Sequence, residues 1–201
     1  MIATVPAAVE TLLTADVAQE IARAYGDRPI YPDQIVIDRP DQDRRRFPGW
    51  PEPVLVLADE NQGACSWGVP LDGGPNGGQV LVGSERTTVT YTGSVEDFIA
   101  ARRWDYECVN AAFCVSAQAS ALDEVSLGYL RGCCAPSVTT HGWPGMRQYR
   151  FEGQQVRVLL WSDTDRCDWL VSATTEDALT DFTTDLLTLS SLRTARWADE
   201  A

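Results

Sequence analysis

The sequence predicts an α+β protein: a mixed, mostly antiparallel sheet with helices packed on it, laid out in two lobes. Three observations carry that expectation. Short apolar runs of strand length recur along the chain, separated by turns rich in Gly, Pro and Asp. Capped amphipathic stretches stand beside them without the regular strand–helix alternation of a parallel sheet. Each half of the 201-residue chain also runs strands first and a helix afterwards.

The elements follow in order. Residues 5–25 carry a helical stripe of Val9, Leu12, Leu13, Val17, Ile21 and Tyr25, with Pro6 suited to a first helical position. The stripe is read as one helix or as two, with Thr14 capping the second, and Gly26 stops it. Residues 31–38 form an expected strand, and 39–53 a loop holding Arg44, Arg45 and Arg46 among Asp38, Asp41 and Asp43. Residues 54–58 and 64–71 are strands joined by the polar turn 59–63, which makes a hairpin. Residues 72–78 hold four Gly and one Pro and read as a loop. Strands are expected at 79–82 and 87–91.

Ser94 opens a helix, with Asp97 three residues on and Phe98 and Ile99 pointing inward. Its helical character runs past Trp104 towards Cys114. Residues 122–131 suggest another short helix closed by Gly132, and a break between lobes is expected within residues 115–140. Strands at 146–151, 155–161 and 168–172 follow, with turns at 152–153 and 163–165. Thr175 caps a last helix in which Leu179, Phe182 and Leu186 share a face. The domain reading is therefore 1–112 and 113–201.

Composition narrows the function. Asp and Glu number 29 against 16 basic residues, a net charge of -13, and all the basic residues are Arg. Such a surface repels phosphate backbones, which disfavours nucleic acid; two readings of it stay open, that it keeps the protein soluble and that it attracts a basic partner. No apolar run approaches the ~18 residues of a membrane span. The N-terminus lacks a basic segment before its apolar residues. A cytoplasmic protein without signal peptide or anchor is expected. The six Cys are irregularly spaced and are expected as thiols, without disulfide or metal.

The most informative segment is VLVLADENQGACSWGVPL, residues 54–71. Asn61 and Gly63 tolerate left-handed backbone in a tight turn. Glu60 and Gln62 can hydrogen-bond the turn's backbone. Trp67 can bury a large apolar area, and Gly68 leaves room for a close neighbour. The residues Glu60, Asn61, Gln62, Gly63, Trp67 and Gly68, following one apolar strand and preceding Val69 and Leu71, resemble the signature hairpin of the SUKH superfamily. That superfamily includes fungal cell-wall-synthesis regulators and bacterial toxin-immunity proteins. Val80, Leu81 and Val82 look like its next strand, and SVEDFI at 94–99 like its helix start. The likeness spans residues 1–105. It implies a non-enzymatic binding module that neutralises a toxin by stoichiometric occlusion.

Catalytic constellations fare poorly. His141 is the single histidine, in the stretch HGWPG, and no G-x-S-x-G is present. Cys133 and Cys134 are adjacent, which is poor zinc spacing. The Gly-rich loop lacks the Lys and Ser/Thr of a phosphate loop. Asp163, Asp165 and Asp168 lack the Gly and distal Glu of a calcium loop. The reading is thus a protein-binding module without cofactor, and its partner is a basic protein such as a toxin nuclease. The expected contact residues are Asp59, Glu60, Asn61, Gln62 and Asp72, with Gly63, Trp67 and Gly68 structural. The alternative is a small hydrolase or metal enzyme using His141 with nearby Cys or Asp.

Overall fold

The computed structural model describes residues 14–30, 34–72, 78–141 and 145–199. Among them are two antiparallel sheets and five helices, an α+β fold. The chain divides into two compact units. The first holds residues 1–106 and 141–144, and the second holds 107–140 and 145–201. The division falls a few residues before the expected 112/113 boundary, inside a helix. The first part of the expected N-terminal helix, residues 5–13, lies outside the described residues, as does most of the loop 72–78.

In the first unit, α1 (Ala15–Arg23) starts where Thr14 accepts a hydrogen bond from the Val17 amide. Gly26 follows at φ 67°, the left-handed turn that ends the helical run. The sheet is ordered β1 (Arg28–Pro29), β3 (Val54–Asp59), β4 (Cys65–Pro70), β5 (Val80–Ser84), β6 (Thr88–Thr92), and β2 (Ile37–Asp38) also pairs with β3. The expected strand at 31–38 is thus only two residues long among those described. Val54 pairs with Pro70 and Asp59 with Ser66, so residues 54–71 form the antiparallel hairpin the sequence predicts.

That sheet is covered on both faces, which is why its central strands are apolar throughout rather than alternating. Leu55, Trp67, Val80 and Val82 pack with Ile21 of α1 and Phe98 of α2 (Val95–Val109). Val54, Val56 and Leu81 pack on the other face with Phe47, from the loop 39–53. The loop lies close enough that a Cβ on Gly68 would meet Phe47 at 2.7 Å, and one on Gly83 the Arg46 carbonyl oxygen at 2.0 Å. Both positions require glycine for this approach.

In the second unit the sheet order is β13 (Arg196–Asp199), β7 (Phe113–Ser120), β12 (Arg166–Ala173), β11 (Val156–Ser162), β10 (Arg147–Glu152), β8 (Ala135–Pro136), and β9 (Thr140–His141) pairs with β10. Val115, Ala117 and Ala119 of β7, Val158 and Leu160 of β11, and Trp169 and Val171 of β12 share one face at the strand period of two. Leu127 and Leu130 of α3 (Glu124–Cys133), Leu186 of α4 (Glu176–Leu186) and Leu192 of α5 (Ser190–Arg193) join the same core. Leu179 and Phe182 pack on it half-buried, as the α4 stripe predicts.

Two expectations are corrected here. Residues 115–140 are not a break: they hold most of β7, all of α3 and β8, and the first residue of β9. Gly132 does not close α3, since it lies inside the helix. Cys134 ends it in extended geometry, its amide donating to the Leu130 carbonyl.

Candidate functional site

The hairpin turn is a locked structure. Gly63 sits at φ 81° and its amide donates to the Glu60 carbonyl at 2.9 Å. The Glu60 carboxylate accepts from the Gln62 amide at 2.8 Å and the Ala64 amide at 3.0 Å. Asn61 Nδ2 donates to the Tyr25 carbonyl at 2.8 Å, which ties the turn to the end of the α1 segment. Arg28 donates to the Glu60 carbonyl. Asp59 accepts from Arg46 Nε at 3.0 Å and from the Ser66 hydroxyl at 2.6 Å.

The contact residues expected from sequence sit in different surroundings. Glu60 is buried and spends its carboxylate inside the turn. Asp59 is partly buried in an ion pair, and Asn61 holds Tyr25. Asn61, Gln62 and Asp72 are exposed. Asp72 is hydrogen-bonded to Glu52, whose carboxyl is held above its usual value first by that bond. Gly63 has a positive φ, Trp67 is buried, and Gly68 has no room for a Cβ.

Asp59 gives the turn a pH signature. Burial pushes its carboxyl up, but the hydrogen bonds from Arg46 and Ser66 and the charges of Arg46 and Arg28 outweigh this and hold it below the ordinary range. A carboxylate with a lowered folded pKa contributes stability above its unfolded value, and that stability is lost as pH falls through the folded value. The urea midpoint should therefore drop as pH is lowered through about 4, the ordinary Asp value. Asp59→Asn should lessen that drop. An unchanged slope in the variant would show that the turn does not depend on this pair.

Beneath the hairpin lies a buried cation. Arg102, on α2, has 1% side-chain exposure and donates from Nη1 to Asp27 Oδ2 at 3.0 Å. Its guanidinium carbon stands 4.1 Å from the Trp67 ring centre, and 5.4 Å from those of Tyr25 and Phe98. Tyr91 meets Trp67 and Phe98 edge-on at 6.1 Å and 5.6 Å. Aromatic faces thus solvate the charge where water cannot. Sequence reasoning found Trp67 but missed Arg102 and Asp27, whose sequence separation of 75 residues gives no local signal.

Among the described residues no group of three or more His, Cys, Asp or Glu could hold a metal. His141 is exposed on the short strand β9. Asp168 is paired to Arg166, and Asp163 accepts from the Thr164 amide. The Arg44–Arg46 run is locally paired at Arg45 with Asp38 and at Arg46 with Asp59. The six cysteines are free thiols. Burial pushes Cys134 and Cys167 up to about 12, so both stay protonated at neutral pH.

Two features of the second unit were not foreseen. One is an open cleft of about 390 Å³ lined by Phe113, Gln154, Val156, Arg157, Ser172 and Thr174, where Arg157 is already paired with Glu107 and Glu152. The other is a ridge on α4: Asp177, Asp181 and Asp185 recur every fourth residue, and all three are exposed. No helix among the described residues is long and apolar enough to cross a membrane.

No family model, curated protein or solved structure matches the chain.

Proposed function

We propose that the protein is a non-enzymatic binding module that engages a basic protein partner through an acidic face, and that its first unit is SUKH-like. On this reading it is a cytoplasmic immunity factor that occludes a toxin stoichiometrically. The observation that carries the binding reading is the α4 ridge. Glu176 and Asp177 stand in the first turn, where the helix dipole favours anions. That explanation does not reach Asp181 or Asp185. Asp185 lies near the C-terminal end, where the dipole disfavours a negative charge, and the last turn holds no basic residue. Like charges four residues apart cost roughly 0.2–0.5 kcal/mol per pair. Asp185 is engaged by the Tyr129 hydroxyl, so Asp177 and Asp181 are the ridge carboxylates that fit an external cation.

The arginines support the same reading. Arg45, Arg46, Arg102, Arg103, Arg157 and Arg166 all pair with the protein's own carboxylates. They are therefore not displayed as a basic face, and the excess acid sets the outer field. The locked hairpin supports the SUKH likeness: its signature residues build a rigid turn and the floor beneath it.

The test is co-expression with the products of adjacent genes, then binding kinetics with the partner at low and high salt. Electrostatic steering predicts an association rate that falls steeply as salt rises. Asp177→Arg with Asp181→Arg should slow association, flatten the salt dependence and leave dissociation nearly unchanged. Asp163→Arg with Asp165→Arg, on the β11–β12 turn, is the control. Equal effects from both pairs would place the interface elsewhere. Turnover of a substrate, abolished by His141→Ala, would overturn the non-enzymatic reading.

A further inference from the structure

We propose that Cys133 and Cys134 form a two-thiol site for a trivalent arsenical, with one arsenic atom bridging both sulfurs. The pair closes α3 in the second unit, and nothing in the binding reading uses it. The two Sγ atoms lie 3.7 Å apart and face each other. Cys133 is exposed, which gives entry from solvent, while Cys134 is anchored in the core. Its position is fixed on two sides. Its amide caps α3 on the Leu130 carbonyl, and a Cβ on Gly153 would stand only 3.2 Å from its sulfur.

The separation decides between the chemistries open to two neighbouring thiols. A disulfide needs the sulfurs at about 2.05 Å, far inside the 3.7 Å seen here. A thiophilic atom bonded to both at ~2.3 Å, the thiolate distance known for zinc, spans about 3.3–3.8 Å at angles of roughly 90–110°. The observed 3.7 Å fits the single-atom bridge with little movement. A four-coordinate metal would need two more ligands, and no group of three His, Cys, Asp or Glu among the described residues supplies even one. A trivalent arsenical brings its own third substituent, so two sulfurs complete it.

The reaction needs no redox partner. An arsenical with two hydroxyls condenses with two thiols: two As–S bonds form and two As–O bonds break. The thiol protons leave with the hydroxyls as two waters, and no atom changes oxidation state. Tyr129, one turn before Cys133 and tilted on Phe182 at 6.3 Å, offers an aromatic wall for an aryl substituent.

The test uses phenylarsine oxide with the full-length reduced protein, read by intact mass. One tightly held adduct per chain is expected, displaced by 2,3-dimercaptopropanol but not by the same concentration of a monothiol. Cys133→Ser removes an exposed group and spares the core. It should weaken retention on the order of 10²–10⁴-fold, the advantage of a second intramolecular bond. Cys114→Ser, at the half-buried thiol of β7, should retain the adduct. An adduct that survives Cys133→Ser, or one released equally by a monothiol, would overturn the proposal.

Discussion

Trp67→Ala should destabilise the first unit by about 3–5 kcal/mol, the cost of truncating a buried large aromatic. Trp67 is 4% exposed and belongs to the main core of that unit. The substitution removes apolar burial, opens a cavity and takes away the ring nearest Arg102, at 4.1 Å. A desolvated cation–π contact adds about 2 kcal/mol or more, so the loss should fall at the upper end of the range. Against a typical total of about 5–15 kcal/mol, that is a large share. The measurement is urea unfolding followed by far-UV circular dichroism. Trp67→Phe should recover part of the loss, because a ring face remains over the guanidinium. A midpoint unchanged in Trp67→Ala would mean that the hairpin floor does not hold the unit together.

Arg102→Leu should cost about 3–5 kcal/mol, since it leaves Asp27 buried without its cation. The intact pair is not itself strong evidence of stability, because burying both charges carries a penalty. Its poor hydrogen bonding makes the point: among the described residues, Arg102 Nε and Nη2 and Asp27 Oδ1 are buried with no hydrogen-bond partner. Removing both charges, as Arg102→Leu with Asp27→Leu, should therefore recover most of what the single change loses.

The pH dependence separates this from simple packing loss. Burial pushes the Asp27 carboxyl above its ordinary value, and Arg102 pulls it back only in part. A carboxyl with a raised folded pKa stabilises the fold when protonated, and that contribution is lost as pH rises through the folded value. Without Arg102 the carboxyl rises further. Arg102→Leu should thus do least harm in mild acid and most at neutral pH. A loss that is equal at both, in urea midpoints taken against wild type, would assign the effect to shape alone.

Much of the local structure is legible in the sequence because its causes are local. Thr14, Ser94 and Thr175 each cap a helix through their own side chain: the amides of Val17, Asp97 and Ala178 donate to them. The hairpin at residues 54–71 declares itself by two apolar runs around a polar turn with Gly63. Strand β7 does not. Its sequence FCVSAQAS is rich in Ala and Ser, which are weak strand formers, and it follows directly on helix α2. Its pairing with β12, from Arg166↔Ser120 to Ala173↔Phe113, and with β13 on the other edge makes it a strand. Strand β13 is likewise a strand through β7.

The contact residues show the same limit. Residue type marks Asp59, Glu60 and Asn61 as polar and near a turn, and by that criterion they belong on a rim. Whether a polar group faces a partner or serves the fold depends on what the chain brings beside it. Here Arg46, Arg28 and the Tyr25 carbonyl arrive from 13, 32 and 36 residues away. The ridge Asp177, Asp181 and Asp185 was spelled out at helical spacing in the sequence, yet its exposure depended on which face of α4 met the sheet.

The α+β class, the caps, the hairpin and the excess of negative charge can all be read from the residues in order. These follow from periodicity, turn chemistry and composition, all of which act over a few residues or over the whole chain. Tertiary structure alone decided which carboxylates are spent and which are displayed. It also paired Arg102 with Asp27 beneath Trp67, and set the thiols of Cys133 and Cys134 face to face with one of them buried. Each of these outcomes depends on burial and on partners distant in sequence, because the energy of a charge or a thiol is fixed by its surroundings and not by its neighbours along the chain.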